Sequence, residues 1–134
     1  MPGNFFDTNV LLYLASNDTT KADRAEALIA DGGTISVQVL NEFTHVARRK
    51  LRLSWVETRL FLSTIRDLLT VHPNTLAIHE TGLDLAERFQ LSTYDAMIAA
   101  AALDAGCDTL WTEDMQHNLR LTPDLRIANP FLVP

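Results

Sequence analysis

The chain has 134 residues, a size typical of one domain, and 47% of them are hydrophobic, so it can bury a substantial core. Only 21% are charged, which argues against disorder, and no run approaches the roughly 20 apolar residues of a membrane span. The formal net charge of −6 argues against binding of nucleic acid through excess positive charge, unless several of the acids belong to a metal site.

The amino-terminal half is predicted to alternate between short strands and helices. Residues 4–6 form the first strand, which ends at Asp7, and the apolar run at residues 10–14 predicts a short buried helix. A second helix, at residues 21–30, stops at a pair of glycines. A brief strand at residues 34–36 then leads into a helix from about residue 37 to residue 50.

In the carboxyl-terminal half, polar capping residues precede the predicted helices. Ser54 and Glu57 match a capping box and predict a helix that runs to about residue 69. Ser92 or Thr93 can cap another helix over residues 94–105. The remaining predicted elements are strands at residues 70–72, 109–112 and 125–128 and a helix that follows Pro73-Asn74 and ends at residue 89.

Strands that alternate with helices predict an α/β fold over residues 1–134 as a single domain, with a central parallel sheet of four to five short strands flanked by helices. The carboxyl ends of parallel strands lie along one edge of such a sheet, and ligands bind at that edge. Asp7 and Asp114 each follow a predicted strand directly. Both carboxylates are therefore expected at the ligand-binding edge.

Glu42 and Asp95 are predicted to join them from helices. Glu42 lies at the margin of an apolar stripe, although in isolation it is better explained as an ion-pair partner of Arg49 or His45. Asp95, in isolation, is better explained as an acid that stabilises the first turn of its helix. The sequence after Asp95 is apolar all round, however, which predicts a buried helix whose first turn lies near the sheet edge.

Together, the four carboxylates predict a site for a hard divalent cation. Clustered like charges repel, so such a group must keep some acids protonated or bind a counter-charge. Mg²⁺ and Mn²⁺ favour oxygen ligands. Phosphodiester hydrolysis needs an activated water and stabilisation of added negative charge, and metal ions provide both. The four histidines and the single cysteine show no zinc-binding spacing.

Four tripeptides, taken in this order and spacing, strongly resemble the motifs of PIN-domain nucleases, and above all those of VapC toxins of type II toxin–antitoxin modules: Asp7-Thr8-Asn9, Asn41-Glu42-Phe43, Tyr94-Asp95-Ala96 and Thr112-Glu113-Asp114. The likeness covers essentially the whole chain and implies a PIN-like fold and a Mg²⁺- or Mn²⁺-dependent endoribonuclease. The residues that would bind the metal and carry catalysis are Asp7, Glu42, Asp95 and Asp114.

The resemblance also implies supporting residues and partners. Asn9 and Thr112 match an amide and a hydroxyl position of the family, where they would orient a carboxylate or a metal-bound water. Gln116 is a departure from the family, since many relatives carry a further acid near this position, and it leaves the number of metal ions open. The implied partners are an RNA substrate, a cognate antitoxin whose peptide covers the acidic groove, and a second copy of the chain in a homodimer.

One compact basic run follows the second motif and consists of Arg48, Arg49, Lys50 and Arg52. Such a run is usually a solvated helix end favoured by the helix dipole. It could also contact RNA phosphates beside the metal, or neutralise the acidic cluster.

Three further residues are assigned no role in the site. Glu113, which adjoins Asp114, is expected to point into solvent. Trp55 and Trp111 are expected to be core or interface residues rather than a base-stacking platform.

The sequence also predicts the compartment. Residues 1–6 lack the basic region and long apolar run of a signal peptide. Cys107, the single cysteine, excludes an internal disulfide and is expected to be buried at the end of an apolar helix. We therefore expect a cytoplasmic protein with no membrane partner.

Two alternative functions stay open at this point. The first is a PIN-like binding or scaffold module without catalysis, although such a module would gain stability by losing its clustered acids. The second is a nuclease that acts on DNA, because a metal site does not itself read the 2′-hydroxyl group. The chain has no phosphate-binding glycine loop and no nucleophilic serine elbow, so nucleotide-dependent enzymes and serine hydrolases are not supported.

Overall fold

The structure, a computed structural model, describes residues 3–132; residues 1, 2, 133 and 134, which the sequence assigns to the same domain, lie outside the described part. The strands are β1 (Asn4–Phe6), β2 (Thr34–Ser36), β3 (Thr70–His72), β4 (Thr109–Trp111), β5 (Arg120–Thr122) and β6 (Leu125–Ala128). The helices are α1 (Thr8–Leu12), α2 (Thr19–Ala30), α3 (Val37–Arg49), α4 (Trp55–Leu68), α5 (Leu76–Phe89) and α6 (Thr93–Asp104), and a 3₁₀ turn, Tyr13–Ala15, follows α1.

The six strands form one sheet in the order β3-β2-β1-β4-β6-β5. All neighbours are parallel except β5 and β6, which pair antiparallel. The predicted α/β class and central parallel sheet are confirmed, and the sheet has one strand more than the four to five expected. Strand β5 is three residues long and buries only Leu121, so its sequence is too short to show a periodic pattern.

Polar side chains begin most of the helices. The side chains of Asp18, Ser36, Thr75 and Ser92 each accept a hydrogen bond from a backbone N–H in the first turn of α2, α3, α5 and α6. Ser54 and Glu57 form the predicted capping box at the start of α4. These local bonds explain why the predicted helix boundaries agree with the structure to within a few residues.

The buried hydrophobic side chains form one cluster on and around the sheet. Helix α6 is apolar on all sides, as predicted, and buries Ala96 and the run from Ile98 to Ala102. It packs against α5 at Gly82, where an added Cβ would lie 2.4 Å from the Met97 sulfur. Cys107 is buried beyond the end of α6, as expected. None of the helices in residues 3–132 combines the length and apolarity needed to cross a bilayer.

The two tryptophans differ in burial. Trp111, in β4, is 9% exposed and belongs to the core, whereas Trp55, the first residue of α4, is 56% exposed. Trp55 is therefore not a core residue, and the other alternative, that it is an interface residue, stays a prediction. Trp55 is the first residue of α4, and its ring packs beside the Arg48 guanidinium of α3 rather than among the core side chains.

The sheet order determines which segments meet at the functional edge. Strands β1 and β4 are adjacent and parallel, with Phe6 opposite Trp111, so the residues that follow them emerge side by side. The backbone N–H of Asp7 donates to the Trp111 carbonyl (3.0 Å), which continues this pairing one residue beyond β1. Helix α3 starts directly after β2, on the other side of β1.

Candidate functional site

A pocket of about 670 Å³ opens at the carboxyl edge of the sheet, and all four predicted acids line it. Asp7 reaches it from the end of β1, Glu42 from α3, Asp95 from the first turn of α6, and Asp114 from the loop after β4. No lysine or arginine of the described chain lines the pocket. The structure thus gathers the four carboxylates in one electronegative cavity.

Asp7 lies deepest and is 3% exposed. Its carboxylate accepts hydrogen bonds from the Thr8 backbone N–H (2.6 Å) and the Thr112 hydroxyl (2.7 Å). The pKa of Asp7 is raised from its ordinary value of 3.8 to about 7, mainly by burial and to a smaller extent by the charges of Asp95 and Glu42, while the two hydrogen bonds oppose the shift. Asp7 therefore takes up a proton near neutral pH.

Asn9 and Thr112 connect the acids of β1 and β4. The Asn9 amide nitrogen donates to the Asp114 carboxylate (2.9 Å), to the Thr112 hydroxyl (3.1 Å) and to Asp7 (3.3 Å). The side-chain oxygen of Asn9, Oδ1, accepts a hydrogen bond from the backbone N–H of Glu113 (3.3 Å), and the Thr112 hydroxyl accepts one from the backbone N–H of Asp114 (3.1 Å). These contacts fix the positions of Asp7 and Asp114 relative to each other.

Glu42 forms hydrogen bonds with residues other than Arg49 and His45, the ion-pair partners that its helix suggested. Its carboxylate accepts hydrogen bonds from the Thr8 hydroxyl (2.8 Å) and from the Gln38 amide (3.0 Å). Within residues 3–132, no ion pair joins Glu42 to Arg49 or His45. The ion-pair interpretation is wrong because Glu42 turns toward α1 and the pocket, away from the basic end of α3.

Asp95 combines both of the roles considered for it. Its backbone N–H donates to the Ser92 hydroxyl (3.2 Å), as in a capped first turn. The carboxylate also lines the pocket. Burial raises the pKa of Asp95, and the charges of Asp114 and Glu42 raise it further.

Glu113 points away from the pocket, yet it does not extend into solvent. Its side chain is 25% exposed and accepts hydrogen bonds from the Tyr13 hydroxyl (2.7 Å) and from Lys21 Nζ (3.4 Å). Lys21 lies over the rings of Tyr13 and Phe131, 5.0 and 4.8 Å from their centroids. The expectation of bare exposure is wrong, because this cluster neutralises Glu113 and anchors the loop that carries Asp114.

The basic run divides between different surfaces. Arg48 and Arg49 line a second pocket beside the acidic one, together with Trp55. Lys50 lines a separate depression on the other side of α3, and Arg52 is exposed with a positive φ of 55°. The four cations therefore do not form one continuous patch.

The donor set of the acidic pocket fits a hard divalent cation. Several carboxylates face one cavity, and the raised pKa values of Asp7 and Asp95 reflect a charge cost that a cation would remove. Among residues 3–132, however, no three His, Cys, Asp or Glu side chains lie close enough together to hold an ion as placed. Hydrogen-bond donors contact both oxygens of Asp7 and Glu42 and one oxygen of Asp114, and an ion would draw the carboxylates closer together than they lie here.

The family model of the PIN domain matches residues 5–119, from β1 to just before β5. The chain belongs to the PIN domain family. The resemblance drawn from the four tripeptides is thereby confirmed. A search of curated proteins found no significant match.

Solved structures share this PIN fold over most of the chain. A toxin–antitoxin complex from Klebsiella pneumoniae matches with a TM-score of 0.72 and 24% identity, covering 97% of this chain and 99% of that one. DNA-bound VapBC from Salmonella typhimurium matches with a TM-score of 0.69 and 21% identity over 97% and 99%. VapC20 from Mycobacterium tuberculosis, described as a toxin that cleaves the sarcin–ricin loop, matches with a TM-score of 0.67 and 20% identity over 83% and 91%.

Two residues of this PIN domain's pocket were missed by the sequence analysis. Thr8 and Gln38 both bind Glu42, and Gln38 also donates to the Tyr94 carbonyl (3.1 Å), which links α3 to the start of α6. The spacing of four residues between Gln38 and Glu42 on one helix face was a usable signal. The contact between Thr8 and Glu42 depends on the packing of α1 against α3 and has no local signature.

Proposed function

We propose that this PIN domain is a divalent-metal-dependent endoribonuclease and acts as the toxin of a toxin–antitoxin pair. The observation that carries the proposal is the convergence of four acids, from four separate segments, on one pocket that no described lysine or arginine neutralises. Family membership and the VapC relatives agree with it. The proposed unit is one nuclease domain that spans the chain.

Asp7, Glu42, Asp95 and Asp114 are the proposed catalytic and metal-binding residues, and Mg²⁺ or Mn²⁺ is the proposed ion. When bound, the ion would supply water activation and stabilisation of the charge that develops on the phosphate. The chain's own contribution is to orient these acids: Asn9 and Thr112 hold Asp7 and Asp114 through hydrogen bonds. Because the pKa of Asp7 is raised to about 7, protons compete with the ion for this carboxylate near neutral pH.

RNA is the proposed substrate, and the basic run is its proposed source of phosphate contacts. Arg48 and Arg49 line the second pocket, directly beside the acidic one, and Lys50 and Arg52 lie farther along the chain on neighbouring surfaces. Positive charge placed close to an acidic site guides a polyanion to it even in a chain of negative net charge.

The proposed protein partners are a cognate antitoxin and a second copy of the chain. A toxin–antitoxin complex and three VapBC structures are among the matching structures. The described surface also exposes large apolar side chains on two helices, including Val56 and Leu60 on α4 and Leu76 and Leu83 on α5. Apolar side chains exposed in this number are common at protein–protein interfaces.

The proposal is tested by incubating the purified protein with a pool of structured RNA in Mg²⁺, in Mn²⁺ and in EDTA. We expect cleavage with either ion and none in EDTA, and a loss of at least about 100-fold in Asp7→Asn and Asp95→Asn. Asp84→Asn, which removes an exposed carboxylate of α5, is the matched control and retains activity.

Two outcomes would contradict the proposal. If the wild type and both site variants are equally inert toward RNA and DNA, the chain is a binding module without catalysis. If only single-stranded DNA is cut in parallel assays, the chain is a DNA nuclease. If the protein cleaves RNA, mapping the cleavage ends in cellular RNA would identify its target.

A further inference from the structure

A basic pocket of about 540 Å³ lies directly beside the acidic one along α3. Asn41 and His45 line both pockets, so the two share a wall. Arg49 lies seven residues beyond Glu42 on the same helix, which is about 10 Å along the helix axis. A polymer bound across the acids would therefore reach the basic pocket within a short length of its chain.

The charge of this second pocket is opposite to that of the protein as a whole. The chain carries a formal charge of −6, yet the described residues that line the pocket include two arginines and no acid. No carboxylate of residues 3–132 forms an ion pair with Arg49, which is exposed. The Arg49 guanidinium is therefore available to a phosphate group.

Trp55 supplies the pocket with a fixed aromatic surface. The Arg48 guanidinium lies 4.4 Å from its ring centroid, and Arg48 Nη1 donates to the Leu53 carbonyl (2.7 Å). These two contacts hold Arg48 between α3 and the start of α4 and support the indole, which is still 56% exposed. An indole that is both exposed and held in place can stack on a base with little loss of conformational entropy.

We propose that this pocket binds a nucleotide flanking the cleaved phosphate, with its base stacked on Trp55 and its phosphate bound by Arg49. Arg48 is a positioning residue that holds the indole and does not contact the nucleic acid. The inference rests on the proposed nuclease function, since it adds a substrate subsite to that active site. Of the four residues in the basic run, it assigns phosphate binding at this subsite to Arg49 alone.

The test measures binding of a short single-stranded RNA in EDTA, where metal-dependent cleavage is stopped. Anisotropy of a dye attached to the RNA reports binding for every variant, including those that lack Trp55, and in the wild type RNA binding should also quench the fluorescence of the exposed Trp55. We expect about tenfold weaker binding by Trp55→Ala and a loss of less than about threefold in Trp55→Phe, which keeps a stacking ring. Arg49→Gln should weaken binding and reduce the salt dependence of log K by about 0.7.

Two exposed positions of α4 provide matched controls. Arg59→Gln removes an exposed cation and Leu68→Ala an exposed apolar side chain, and neither lines the pocket. Both variants should bind the RNA with wild-type affinity. Equal weakening in these controls would show a general surface effect and would overturn the inference.

The remaining outcomes separate this inference from the proposed function. Wild-type affinity in both Trp55→Ala and Arg49→Gln overturns the inference even if the protein cleaves RNA in Mg²⁺. If Trp55→Ala converts a dimer to a monomer in sedimentation without changing RNA affinity, the pocket is a protein interface and the inference is also overturned. RNA binding that depends on Trp55 and Arg49 in a protein that cleaves nothing supports the nucleotide contacts of this inference and overturns the proposed nuclease activity.

Discussion

Asn9 and Thr112 are uncharged, yet they organise the acidic pocket. Each donates a hydrogen bond to the Asp7 carboxylate. Asn9 also donates to the Asp114 carboxylate, and the Thr112 hydroxyl accepts the backbone N–H of Asp114. Like-charged carboxylates stay close only where donors or cations offset their repulsion. Asn9 and Thr112 supply these donors. Removal of either side chain should therefore disturb the positions of Asp7 and Asp114, although all four acids are still present.

Thr112→Val tests this role because it removes the hydroxyl and preserves the shape of the side chain. We expect kcat/KM for RNA cleavage to fall about 10- to 100-fold, since Asp7 loses the Thr112 hydroxyl as a donor and the backbone N–H of Asp114 loses it as an acceptor. Thr58→Val is the matched control: Thr58 is also fully buried, and its hydroxyl has no partner among the described residues. That variant should keep full activity and gain about 1 kcal/mol in free energy of unfolding.

The comparison of Thr112→Val with Thr58→Val tests whether the Thr112 hydroxyl positions the acids. Equal activity in both would show that the Thr112 hydroxyl does not position the acids. A destabilised Thr58→Val would show that its hydroxyl has a partner in solution.

The raised pKa of Asp7 predicts that stability falls with increasing pH. In the unfolded chain this carboxyl titrates near 3.8, and in the folded protein near 7, so the folded state binds more protons between about pH 4 and pH 7. The free energy of unfolding in EDTA should therefore fall by about 2 to 3 kcal/mol from pH 5 to pH 8. Asp95, whose pKa is also raised, acts in the same direction.

Urea unfolding at several pH values measures this dependence. Asp7→Asn should flatten most of it, whereas the exposed Asp84→Asn should retain it. A free energy of unfolding that rises from pH 5 to pH 8 in the wild type would show that Asp7 stays ionised in the folded protein.

The segment between α2 and β2 passes close to β1, and two glycines there have different roles. An added Cβ at Gly33 would lie 2.8 Å from the Asn4 carbonyl oxygen and 2.6 Å from the Phe6 ring, whereas nothing lies within 4 Å at Gly32. Both have positive φ values, 151° and 83°. Gly33 therefore allows β2 to pair with β1, and Gly32 serves only the turn.

Gly33→Ala should destabilise the protein by about 2 to 4 kcal/mol, because backbone strain adds to a clash with a main-chain oxygen. Gly32→Ala should cost about 1 kcal/mol, since strain acts alone. Urea or thermal unfolding of the two variants measures the difference. Equal losses would mean that the chain near β1 relaxes to accommodate the extra methyl group.

The acidic pocket exists only in the assembled molecule. Its four acids come from positions up to 107 residues apart in sequence, between Asp7 and Asp114, and the sheet order β2-β1-β4 brings their segments together. A ligand that binds the acids therefore binds the folded state alone. Metal binding should consequently stabilise the entire fold.

Addition of Mg²⁺ at about 100 times its dissociation constant should raise Tm by roughly 5 to 10 °C at pH 8, where protons no longer compete for Asp7. Asp114→Asn should lose most of this shift, and Asp84→Asn should keep it. The measurement is thermal unfolding with and without the ion and needs no catalysis. The same shift in Asp114→Asn and in the wild type would place the ion elsewhere.

Much of the fold was predictable because its signals are local. Ser54 and Ser92 bind backbone N–H groups three residues away, and the apolar run of α6 is buried whatever packs on it. The candidate acids were predictable for a different reason, since each lies in a tripeptide of a recognisable family. Their catalytic and metal-binding roles stay predictions.

By itself, the sequence determined the helix starts, five of the six strands, the PIN family and the four acids, because capping, periodicity and motif order act over short stretches of chain. Only the tertiary structure decided that Glu42 binds Thr8 and Gln38, that Lys21 covers Glu113, and that Trp55 remains exposed. These features depend on which elements pack together. The energies of alternative long-range partners differ too little for a local pattern to choose among them.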